Sequence, residues 1–215
     1  MISDRVVTHP IVDRTTVFDG MIWDVRRDVF ELNGAEITRD YIVHPGAVAI
    51  IAINDSAEML LIEQYRHAQG KIMWEAPAGL LDVADESPLE AAKRELYEET
   101  GYEAAIWNVL VDFANTPGGS TEQIRIYLAQ GLTMHVAGRP VGDAEEFEMP
   151  MHWIAVQDVM ESIARGAVTN PQLVLGTYAA LLAMADPDMV VRSADAPWHA
   201  REDVLATDRV RPPKN

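Results

Sequence analysis

The chain has no cysteine, which excludes disulfides, thiol catalysis and thiolate metal sites together. Basic residues are scarce: 17 Lys and Arg stand against 34 Asp and Glu, a net charge of −17. Such a surface argues against nucleic acid or an anionic membrane as a partner, since both demand basic residues. No apolar run reaches the ~18 residues that a membrane span needs. The first residues, MISDRVVTHP, lack the basic start and apolar centre of a signal peptide, so a cytoplasmic address is expected. Internal repeats, a P-loop and a Ser-His-Asp set are missing. The histidines (9, 44, 67, 135, 152 and 199) show neither H-x-H nor HExxH spacing and read as structural or surface residues. What is there is a 215-residue chain of ordinary composition, 48% hydrophobic and 24% charged, enough for one good core with a small extension.

The informative segment is Gly79 to Tyr102, GLLDVADESPLEAAKRELYEETGY. Ser87 is a natural helix N-cap, Pro88 suits the first helical position, and Glu90 completes an S-x-x-E capping box. Leu89, Ala92 and Leu96 form an apolar stripe, and Gly101 supplies a left-handed stop. A helix is therefore expected from about Ser87 to Thr100. Glu95, Glu98 and Glu99 share one face of it and repel one another by a few tenths of a kcal/mol per pair. They sit at the C-terminal end, where the helix dipole adds to the repulsion. A divalent cation would relieve both penalties, because it takes hard oxygen ligands grouped in this way. Arg94, four residues before Glu98, can pair with it.

The pattern G-x6-E-x7-R-E-L-x-E-E-x-G-Y resembles the Nudix box of the Nudix hydrolases, matched at Gly79, Glu86, Arg94, Glu95, Leu96, Glu98, Glu99 and Gly101. One extra residue lies between Gly79 and Glu86, so either Asp85 or Glu86 fills the first acidic position. The flanks WEAPAGLLD, HPGAV (His44–Val48) and EQYRH (Glu63–His67) are similar to ADP-ribose pyrophosphatases. So is Pro117, sixteen residues beyond Gly101, which opens TPGGSTE. The resemblance implies an α/β fold, the Nudix α/β/α sandwich with a mixed sheet, plus a small N-terminal antiparallel sheet. It implies hydrolysis of the diphosphate of ADP-ribose to AMP and ribose 5-phosphate, with Mg²⁺ and Mn²⁺ as a substitute. A neighbouring reading is hydrolysis of another nucleoside diphosphate sugar or dinucleotide. A reading of another class is an inactive nucleotide-binding regulatory module, which intact carboxylates oppose.

Along the chain, strands are expected at about 21–30, 36–44 (after the hairpin dipeptide Asn33-Gly34), 48–53, 59–65, 106–113, 123–129 and 151–154, and helices at about 156–165 and 171–185. Residues 1–45 would be the N-terminal β extension through which the family pairs as homodimers. Residues 46–185 would be the hydrolase domain, and 186–215 a loosely packed tail. The metal ligands implied are Glu95, Glu98, Glu99 and the carbonyl of Ala78, beside Gly79. The general base implied is Glu146 or Glu145, with Glu148 also in that loop, and Glu98 doubles as a catalytic carboxylate. Arg66 is expected on the diphosphate, where an arginine fork suits phosphate oxygens. Glu75 and Glu122 are candidates for adenine or ribose hydroxyls, Trp74 (or Trp23 or Tyr65) for adenine stacking, and Arg27 or Arg26 for a reach across the dimer.

Overall fold

Residues Ala47–Ala52, AVAIIA, are buried without exception, and this strand organises the larger part of the molecule. The computed structural model describes residues 2–140, 149–185 and 191–211, in two units. One comprises Ala47–Phe113 and Ile124–Pro197; the other comprises Met1–Gly46, Ala114–Gln123 and Trp198–Asn215.

In the larger unit, a sheet runs β11 (Arg192–Ser193), β8 (Tyr102–Ala114), β9 (Gln123–Met134), β4 (Ala47–Ala52) and β7 (Ala78–Leu80). It is mixed, with β4 parallel to β9 and antiparallel to β7. A strand apolar at every position must be covered on both faces. Ala47, Ala49 and Ile51 join Ile124, Ile126 and Leu128 in one cluster with Val156 and Val159 of α2 (Val156–Ala164) and Leu173 and Ala180 of α3 (Pro171–Ala185). Alternation sends Val48 and Ile50, both fully buried, to the opposite face. There α1 (Pro88–Thr100) packs on β4 and β7 through Ala91, Ala92 and Leu96, all buried outside that cluster. Helix, mixed sheet and helix are thus stacked around β4. A Cβ at Gly176 would come within 2.6 Å of the Ile51 side chain, so glycine lets α3 lie this close. A second, antiparallel sheet is ordered β10 (Met151–Ala155), β5 (Glu58–Arg66) and β6 (Lys71–Glu75).

The smaller unit contains the antiparallel sheet β1 (Ile11–Asp19), β2 (Asp24–Leu32) and β3 (Ala35–Val43). Asn33 and Gly34, at φ 54° and 78°, make the tight β2–β3 turn. Buried Asp28 is held by both edges of Arg14 at 2.8 and 2.9 Å and by the Tyr41 hydroxyl at 3.1 Å. Loop 114–123 docks on β3: the Ile42 amide donates to Gly119 and the Thr121 amide donates to Ile42, both at 2.9 Å. The expected strand at 21–30 begins only at Asp24, because residues 20–23 turn the chain out of β1. Segment 186–215, expected as a loose tail, contains β11 and α4 (His199–Ala206), and buries Trp198 and Arg211.

Candidate active site

Helix α1 is built from its caps inward. Ser87 is extended at φ −72° and its hydroxyl accepts from the Glu90 amide at 3.2 Å. Gly101 closes the helix at φ 75°, its amide donating to the Tyr97 carbonyl at 2.7 Å. In the loop before the helix, Asp85 takes a left-handed φ of 62°, absorbing the extra residue. Glu86, rather than Asp85, then meets Arg94 in a bidentate pair, both bonds at 2.9 Å.

Arg94 gathers the acidic cluster. Its Nη1 donates to Glu95 at 2.6 Å and to Glu98 at 2.9 Å. The bonds from Glu86 do most to raise the guanidinium pKa, burial opposes them, and the Glu95 charge adds to the rise. Glu99 is buried at 5% exposure, and its Oε2 accepts from the Ala78 amide at 3.0 Å. The C-terminal turn of α1 is thereby tied to β7. A Cβ on Gly79 would overlap the Glu95 carboxylate, so the glycine is a cradle for that side chain.

Among the described residues, no group of three acidic or histidine side chains is arranged as a metal site. Arg94 engages both Glu95 and Glu98. The donor chemistry nonetheless fits a hard divalent cation: three carboxylates on one helix face beside the Ala78–Gly79 backbone.

The remaining expected site residues divide. Arg66 and Glu75, at the ends of β5 and β6, form a bidentate pair at 2.8 and 2.7 Å. Trp74 is partly buried and packs against the hydrophobic core, with its ring 5.0 Å from that of His152. In the smaller unit, both edges of Arg27 are bound to Asp40, at 2.7 and 2.8 Å. Glu122, also in that unit, accepts from the Asn115 side chain at 2.7 Å and lies 3.6 Å from His44 Nε2. Glu145, Glu146 and Glu148 lie outside the described residues. The bonds of Arg94 to Glu86, of Arg66 to Glu75 and of Asn115 to Glu122 were not foreseen, since each joins residues across a loop or between strands.

Comparison with known proteins bears on this geometry. A family model described as the NUDIX domain matches residues 43–174. The ADP-ribose pyrophosphatase of Mycobacterium tuberculosis is 39% identical over 202 residues, 92% of this chain and 95% of that protein. The methanol dehydrogenase activator of Bacillus methanolicus is 42% identical over 118 residues, 54% of this chain and 63% of that protein. A crystal structure described as an ADP compounds hydrolase superposes with a TM-score of 0.71 at 23% identity, covering 87% of this chain and 100% of that one. That structural likeness concerns the fold.

Proposed function

This chain belongs to the NUDIX family, and from that premise we propose that it hydrolyses the diphosphate of ADP-ribose to AMP and ribose 5-phosphate with Mg²⁺. The observation that carries the reading is the length of its likeness to the M. tuberculosis ADP-ribose pyrophosphatase, which runs far beyond the box itself. Three carboxylates on the last turns of α1 support the chemistry.

Glu95, Glu98, Glu99 and the Ala78 carbonyl would hold the cation, with Mn²⁺ as a substitute. Bound there, a divalent cation would neutralise charge on the diphosphate and would make a water more acidic. The protein's own residues position and move protons. Arg94 keeps Glu95 and Glu98 from splaying apart, and the Ala78 amide fixes Glu99. Arg66 is proposed to bind the diphosphate, and Glu122 a ribose hydroxyl. Glu146 is proposed to accept the proton of the attacking water, with Glu145 and Glu148 as alternatives. Two copies are proposed to pair through the β1–β3 sheet, where Ile11, Val12, Val17 and Phe18 of β1 are exposed.

Purified protein should be offered ADP-ribose, ADP-glucose, GDP-mannose, NADH and diadenosine polyphosphates, each with Mg²⁺ and with EDTA. Fastest release of AMP from ADP-ribose, stopped by EDTA, is the expected result. Faster cleavage of another nucleoside diphosphate sugar would move the substrate and leave the carboxylate chemistry. Cleavage of none would overturn the proposal.

A further inference from the structure

The structure assigns Glu75 a positioning role: its buried carboxylate locks the Arg66 guanidinium in place for a diphosphate. This rests on the proposed function, and it gives Glu75 a task other than contact with a ribose or adenine.

An exposed cation here stands on a buried anion. The Arg66 side chain is 44% exposed and that of Glu75 only 3%. Arg66 Nε donates to one carboxylate oxygen at 2.8 Å, and Nη2 donates to the other at 2.7 Å. Both oxygens of Glu75 are thus engaged by one fork, and Arg66 is its one basic ion-pair partner among the described residues. A buried carboxylate is stable only with such a partner, so Glu75 holds the arginine as firmly as the arginine satisfies it.

Sheet register tells where this fork faces. Glu75 pairs with Ile62 and Trp153 with Leu60, so alternation puts Arg66, Glu75 and Trp153 on one face of the β10–β5–β6 sheet. Trp153 Nε1 on that face donates to the Tyr102 hydroxyl at 3.3 Å, and the two rings meet edge to face at 5.4 Å. Tyr102 follows the C-cap Gly101 of α1, three and four residues beyond Glu99 and Glu98 respectively. The locked arginine therefore lies on the sheet face that meets the carboxylate end of the helix. A mobile arginine in a chain of net charge −17 has many competing acids. Fixing its rotamer within the fold removes an ordering cost from substrate binding. With its Nε–Nη2 edge held by Glu75, the guanidinium turns its outer Nη edge away from the carboxylate, and those planar donors suit phosphate oxygens in a way a lysine's ammonium does not.

The test compares wild-type protein with Glu75→Gln and Arg66→Lys. NMR of the Arg66 Nε–Hε group, identified by its loss in Arg66→Lys, should show an ordered group in the wild type and a mobile one in Glu75→Gln. The KM for ADP-ribose should rise about tenfold or more in Glu75→Gln while kcat stays within about threefold, because uniform binding is lost rather than transition-state chemistry. The double variant should bind no worse than the weaker single one. An equally ordered Nε–Hε group in Glu75→Gln, or a released arginine with unchanged KM, overturns the inference. If the wild type does not cleave ADP-ribose, the proposed function falls. The lock is then read by NMR and by calorimetric binding of inorganic pyrophosphate with Mg²⁺, which must weaken in Glu75→Gln. Should that variant not fold, Glu75→Asp keeps the buried charge, loses the bidentate reach, and must show the same rise in KM.

Discussion

The carboxylate of Glu95 occupies the space that a Cβ on Gly79 would need. Gly79 does not adopt a left-handed φ, so alanine meets no backbone strain there, and the nearest atoms that it would displace belong to the Glu95 side chain. Overpacking of this kind costs about 1–3 kcal/mol, at the low end when the displaced atoms end a flexible side chain. Gly79→Ala is therefore expected to unfold only slightly earlier than wild type. Its turnover should fall roughly 10²-fold, since a displacement on the order of 1 Å at reacting groups is enough for that. Thermal unfolding and steady-state kinetics decide it, and unchanged kcat would remove Glu95 from the site.

Glu99→Gln separates charge from shape. Gln keeps a carbonyl oxygen able to accept from the Ala78 amide, so α1 stays tied to β7 and the fold is retained. What disappears is a negative oxygen at a buried position. Turnover with Mg²⁺ is expected to be abolished, and calorimetric Mn²⁺ binding to weaken in parallel. Near-normal activity would sink the metal role of Glu99.

The helix at the site was legible because its signals are contiguous: Ser87, Pro88 and Gly101 delimit it, and Glu95, Glu98 and Glu99 fall on one face by helical spacing alone. The buried run of β4 was equally plain. Strand β1 was not, since eight of its nine residues are exposed and carry no inward-outward alternation. Strand β7 was hidden inside the WEAPAGLLD run, because a three-residue strand owes its existence to pairing with β4. The Glu86–Arg94 pair depends on the left-handed turn at Asp85, and the Arg66–Glu75 pair on the β5–β6 register. Neither is a property of local spacing.

The proposed base is tested by substitution. Glu146→Gln is expected to slow turnover by roughly 10²–10⁴, the contribution of a general base, with KM little changed. The pH–rate profile should lose its acidic limb in the same variant. If Glu146→Gln alters only KM, the base is Glu145 or Glu148, and the corresponding Gln variants locate it.

Stability should depend on His44 below neutral pH. Its Nδ1 accepts from the Gly46 amide at 3.0 Å, which requires that nitrogen to be unprotonated. The Trp23 ring stacks 6.1 Å away, and the residue is buried. Burial pulls its pKa below the ordinary 6.5, and the Glu122 charge opposes this without cancelling it. Protonation would turn the Gly46 contact into two opposed N–H groups. Because the folded value is depressed, the unfolded chain takes up the proton first as pH falls. The stabilisation is complete above about pH 6.5 and is lost as pH drops through the folded value, by at most about 1.4 kcal/mol per pH unit for one proton. His44→Asn retains an acceptor near the Nδ1 position and cannot titrate. Denaturant unfolding between pH 7.5 and 5 should therefore show a slope shallower by up to one proton in the variant. Equal slopes would mean that His44 carries no linked proton, and that its bond to Gly46 survives acid.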